Sequence, residues 1–172
     1  MTSIRIKDID GVLEFGLDDL VKFHGTRSIC GLTVGYKVLE RAFDVLGARE
    51  APLQREAISV ATAFPGPGAR DAFECVTRAV SRQQFEVLKD VSASDQIAEA
   101  AFGAYYFRVN HDGATVEIGV KPGVIRDEFL KLRRAEKNGE ATDKELKRFR
   151  TLQWELSNRI RDADPEQVVN IL

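Results

Sequence analysis

Long apolar runs are missing from this chain of 172 residues. No stretch approaches the ~18 consecutive apolar positions a membrane helix needs, so no membrane partner is expected. A surplus of either charge is missing as well. Lys and Arg number 25 against 27 Asp and Glu, for a net charge of -2, which gives no electrostatic reason to expect nucleic acid. Cysteine is scarce: Cys30 and Cys75 are the only two. Residues 1–8 carry no basic region leading into an apolar run, so a cytoplasmic, reducing setting is expected and both cysteines are read as thiols.

What is present is an ordinary globular mixture, 44% hydrophobic and 30% charged, long enough to bury a real core. No repeat, low-complexity segment or flexible linker divides it. Residues 1–123 are expected to form one α+β domain, with 124–172 a helical extension packed on that domain or on a partner subunit.

One stretch stands out. Lys22-Phe23-His24-Gly25-Thr26-Arg27-Ser28-Ile29-Cys30-Gly31 places one of two histidines and one of two cysteines in a glycine-bearing turn between helices. Before it, Leu17, Leu20, Val21 and His24 share one helical face, Asp18 and Asp19 suit the positive end of the dipole, and Gly25 ends the helix. After it, Leu32, Tyr36, Leu39, Phe43 and Leu46 recur at helical spacing until Gly47. Gly31 and Gly35 lie one turn apart on that helix, each weakening it by about 1 kcal/mol relative to alanine. Their smallness serves either close approach of another backbone, a second subunit included, or room for a ligand. A homodimer is expected on that ground, and because the long amphipathic helical tail also needs something to cover it.

Residues 57–64 read as a strand, Pro65-Gly66-Pro67-Gly68 as a turn, and 69–81 as a helix, a junction where free N–H groups can meet an anion or simply connect two elements. Residues 85–91, 104–109 and 114–120 read as antiparallel strands, the last two joined by a turn over 110–113 that puts His111 at a solvated tip. Two charged helices follow, the second opened by a capping box at Thr142 to Glu145, then a short final helix or tail. The basic residues of these helices are interleaved with Glu136, Glu140, Asp143, Glu145 and Glu155, the pattern of a solvated face.

These residues resemble the FmdE family of formylmethanofuran dehydrogenase proteins. Residues 18–25 and 31–37 are similar to the two ends of its motif, approximately F-H-G-H-x-C-P-G-L-x-x-G-x-R. Asp71-Ala72-Phe73-Glu74-Cys75-Val76-Thr77 is similar to its D-A-I-Q-V-L-T helix, and 105–109 with 116–122 to its hairpin. The similarity spans about residues 16 to 125. Thr26 stands near the family's second motif histidine, and one extra residue precedes Gly31, so Cys30 either stands in for the motif cysteine or replaces the proline.

The resemblance implies an α+β fold, an antiparallel sheet packed against helices; the helical hairpin read after residue 123 stands in place of the cysteine-rich zinc-binding tail some members carry. The resemblance also implies a dimer accessory to one-carbon or molybdenum and tungsten enzyme metabolism. Three functions follow as expectations. The first is a small-ligand or metal-binding protein, with His24 and Cys30 holding a divalent metal such as zinc and Thr26, Arg27, Ser28, Gly68, Arg70 and Asp71 around the ligand. The second is an enzyme with Cys30 as nucleophile, activated by His24 or the helix start and carrying a lowered thiol pKa. The third is a structural or regulatory dimer with a degraded site.

Overall fold

A computed structural model describes residues 3–172. The fold is α+β, with helices packed on two small sheets. The first sheet joins β1 (Ile4–Asp8) to β2 (Gly11–Phe15) as an antiparallel hairpin, and adds β3 (Leu53–Gln54) parallel to β1. The second sheet has five strands in the order β5-β4-β6-β7-β8: β4 is Ile58–Thr62, β5 Phe85–Val87, β6 Tyr106–His111, β7 Ala114–Val120 and β8 Val169–Ile171.

Three features of that sheet depart from the sequence reading. Strand β5 runs parallel to β4, because the helix between them acts as a crossover. The hairpin turn is only Asp112-Gly113, both at positive φ (50° and 83°), the two-residue form that matches strand twist. His111 is therefore the last residue of β6, and its Nε2 accepts a hydrogen bond from the Gln54 N–H at 3.0 Å, tying the two sheets together. Finally, the chain ends in β8, antiparallel to β7, where a helix or tail was the expectation.

Helix α1 (Leu17–His24) starts with the Gly16 N–H donating to the Asp19 carboxylate at 3.0 Å and ends at Gly25, φ 79°. Helix α2 (Ile29–Val45) is the central element. Its residues from Ile29 to Leu39 are nearly all buried, so every face has a neighbour. One neighbour is α3 (Pro67–Thr77), which begins two residues earlier than its periodicity suggests because Pro67 suits the first helical position.

Gly31 and Gly35 are the seam between these two helices. A β-carbon on Gly35 would sit 2.8 Å from the Ala72 β-carbon and 3.0 Å from the Ala69 α-carbon. The close approach thus falls within the chain, and the glycine face on which a homodimer was expected is covered by α3.

On its other side α2 meets the C-terminal hairpin of α4 (Asp127–Asn138) and α5 (Asp143–Asp162). Thr142 opens α5 by accepting from the Glu145 N–H, while the Glu145 carboxylate accepts from the Thr142 N–H. Leu152, Leu156 and Ile160 of α5 are fully buried, each stabilising the fold by about 1.5–3 kcal/mol. The buried Thr33 and Ser157 hydroxyls hydrogen-bond at 2.7 Å and pin α5 to α2. A one-turn helix, α6 (Pro165–Val168), leads into β8. Residues 124–172 thus pack on α2 and complete the sheet of the same chain. Among the described residues no helix is long and apolar enough to cross a membrane.

Candidate functional site

The site begins where α1 stops. Gly25 donates its N–H to the Val21 carbonyl at 2.8 Å, and its positive φ turns the chain back so that residues 26–28 run directly into α2. His24, the last residue of α1, is thereby set against the first turns of α3. Its Nδ1 lies 2.7 Å from Asp71 Oδ2, and its side chain is 8% exposed. A carboxylate only accepts, so Nδ1 carries the hydrogen and Nε2 holds the lone pair of the neutral ring. Nε2 is buried and has no hydrogen-bond partner among the described residues. The outer oxygen of Asp71 meets Arg70 Nη1 at 3.4 Å.

His24 and Asp71 stand in the wall of an open cleft of about 1010 Å³. Thr26, Arg27, Ser28 and Gly31 line it from the α1–α2 turn and the start of α2, and residues 64–68 line it from the start of α3. These two helix starts touch. A β-carbon on Gly68 would lie 2.4 Å from the Ser28 carbonyl oxygen and 2.5 Å from the Leu32 nitrogen, so only glycine lets the two backbones meet there. Neither helix has a side-chain cap. Their first N–H groups, which have no acceptor inside a helix, therefore reinforce the positive ends of two dipoles at one side of the cleft.

Of the residues singled out from the sequence, His24, Thr26, Arg27, Ser28, Gly68 and Asp71 all line the cleft, and two do not. Arg70 has a half-exposed side chain turned to the Asp71 carboxylate. Cys30 lies in the hydrophobic core at 1% exposure, and burial pushes its thiol up to about 12. That reverses the lowered thiol expected of a nucleophile: desolvation of the thiolate outweighs the helix dipole. The side chain at position 30 faces inward on α2 because α2 is covered on every side. Cys75 is half-buried and its thiol is also raised by burial.

The donor set does not fit a divalent ion held by the protein alone. A histidine with a carboxylate behind its other nitrogen is the arrangement commonly found supporting metal ligands. Yet His24 brings a single nitrogen, Cys30 is packed elsewhere, and no group of three or more His, Cys, Asp or Glu side chains is placed around a common point among the described residues.

The far wall escaped the sequence reading. It comprises Ala101, Phe102 and Tyr105, then Phe129, Arg133, Glu136 and Lys137 of α4, and Leu146, Phe149, Arg150, Gln153 and Trp154 of α5. Tyr105 is 2% exposed and stacks on Phe64 with ring centroids 4.2 Å apart. Burial holds its hydroxyl well above the usual phenol range. The spacing on α5, positions 146, 149, 150, 153 and 154, traces one helical face, and 129, 133, 136 and 137 do the same on α4. That signal was legible in principle as a second face beside the core-facing Leu152, Leu156 and Ile160.

Compared with known proteins, the chain matches no family model, and no curated protein matches it.

Proposed function

We propose that the chain is a small-ligand-binding protein of the FmdE-like kind, with the cleft as its binding site and the His24–Asp71 pair as its polar anchor. One observation carries this reading. His24, whose buried Nε2 has no hydrogen-bond partner among the described residues, is one of the residues lining a cleft of about 1010 Å³. Leaving such a group unsatisfied costs about 1–3 kcal/mol, a cost that a ligand hydrogen bond at Nε2 would relieve. The size is that of a pocket for an organic molecule, and mixed aromatic and polar walls are what such pockets have.

Asp71 fixes the tautomer. With Nδ1–H committed to the carboxylate, neutral His24 accepts at Nε2 from a ligand hydroxyl or amine, and the protonated ring donates there to an anion. Asp71 holds the ring in one orientation in either role. The FmdE resemblance supplies the proposed setting, accessory to one-carbon or molybdenum and tungsten enzyme metabolism.

The test is a titration of ¹⁵N-labelled protein with a library of small polar aromatics, run with and without added zinc. Shifts are expected at residues 26–31, at 66–71 and at the Trp154 indole. Shifts confined to other surfaces, or none, would remove the reading. Zinc shifts centred on His24 alone would place a metal there despite the single nitrogen.

A further inference from the structure

The charges lining the cleft divide into engaged and free. Asp71 is taken by His24, and Glu136 by Arg133. Arg126, Arg133, Arg134 and Arg148, on or beside the same helical hairpin, are each paired with a glutamate. Arg27 and Arg150, which line the cleft, have no hydrogen-bond or ion-pair partner among the described residues, and neither does Lys137. Every uncommitted charge on the lining is thus positive.

The two uncapped helix starts add to the same sign, and the partnerless Nε2 of the nine-tenths-buried His24 sits beside them. The cleft is also apolar where it is open. Phe102 and Trp154, 43% and 45% exposed, both line it. Their open ring faces are surfaces on which a planar group can lie.

Resting on the reading of the cleft as a small-ligand site, we infer that its ligand is an organic anion: a carboxylate or phosphate joined to an aromatic or otherwise planar body. The anionic group sits by Arg27 and the first turns of α2 and α3, where backbone N–H donors and a guanidinium meet it; His24 beside them donates from Nε2 when its ring is protonated and accepts there from a hydroxyl of the ligand when it is neutral. The planar body lies against Phe102 and Trp154. Arg150 and Lys137 raise the positive potential of the cleft and speed the arrival of the anion.

Trp154 is the only tryptophan in the chain, so intrinsic fluorescence reads occupancy directly. The probes are phenyl phosphate, phenylacetate, inorganic phosphate and the neutral benzyl alcohol. Saturable quenching is expected from at least one aromatic anion, and the stronger of the two distinguishes phosphate from carboxylate recognition. Benzyl alcohol and inorganic phosphate are expected to bind about ten-fold more weakly, since each lacks half of the recognised chemistry. Added salt should weaken the anion and leave the alcohol unchanged.

The Arg27→Gln/Arg150→Gln double variant, whose two positions are exposed and unpaired, should fold normally by circular dichroism and lose about ten-fold in affinity for the aromatic anion alone. Equal binding of benzyl alcohol and phenyl phosphate, or an unaffected double variant, would overturn the anion inference and leave the small-ligand reading standing. No saturable response to any of the four probes would overturn the inference. It would overturn the small-ligand reading too if the ¹⁵N titration were also silent.

Discussion

One wall of the cleft is made of helix ends and backbone, and the other of side chains on two helix faces. On the first wall α2 and α3 touch through Gly31, Gly35 and Gly68, and His24 and Asp71 are held by the packing of α1 on α3. On the second, α4 and α5 project Arg150, Trp154 and their neighbours from helices whose buried faces are elsewhere. The first wall therefore sets geometry and cannot be altered without moving helices. The second sets preference and tolerates change.

The strongest way to break that contrast is Gly68→Ala. The added β-carbon would meet backbone atoms at 2.4 and 2.5 Å, and backbone cannot rotate away as a side chain can. We expect a loss of about 3 kcal/mol in urea unfolding, together with loss of probe binding. A change under about 1 kcal/mol would show that the helix contact yields, and that the first wall is no more rigid than the second.

Next in size is the pin between the walls. Thr33→Val leaves the Ser157 hydroxyl buried opposite a methyl group, and a buried hydroxyl without its partner costs about 2 kcal/mol. Adding Ser157→Ala should recover part of that loss, because both polar groups are then gone. If the double variant were as unstable as the sum of the singles, the hydrogen bond would not be what joins α5 to α2.

Much of the first wall was legible in the sequence, and little of the second. The α1 face ending at His24, the stop at Gly25 and the α2 period are local patterns that fix their own elements; on the second wall the capping box at Thr142 fixes α5 in the same way, but not which side of it faces the cleft. His24 and Asp71 were expected on facing sides of one site, but their direct hydrogen bond spans 47 positions and only packing brings it about. The β1–β2 hairpin was hidden because all but the last residue of β2 are exposed, leaving no alternation to read. Strand β8 carries no signal of its own; its edge exists only because β7 offers one. Cys30 shows the same limit in reverse. A thiol one residue into a helix looked activated, and the covering of α2 by other elements decided otherwise.

That reversal has a measurable consequence with a definite sign. The folded thiol is raised to about 12 and an unfolded one titrates near 8.5, so between those values the unfolded chain loses a proton that the folded chain keeps. Stability contributed by the protonated thiol is full below about pH 8 and is lost as pH rises, by roughly 1 kcal/mol per unit above pH 9. Cys30→Ala should flatten that slope. Native protein treated with iodoacetamide near pH 9 should be modified at Cys75 first. Modification of Cys30 at the rate of a free thiol would return it to the list of reactive groups.

The smallest structural effect belongs to Trp154, and it sharpens the comparison most. Its side chain is 45% exposed on a helix whose stability rests on Phe149, Leu152, Leu156 and Ile160. Trp154→Ala should change the unfolding free energy by no more than about 0.5 kcal/mol. Followed by calorimetry, since the fluorescent reporter is then absent, affinity for phenyl phosphate should nevertheless fall, because the ring that covers the planar body is gone. Inorganic phosphate, which has no planar body to cover, should bind the variant as it binds the parent. A variant that loses stability would make Trp154 part of the core. One that keeps both stability and phenyl phosphate affinity would move the ligand off the second wall and confine it to the helix ends around His24.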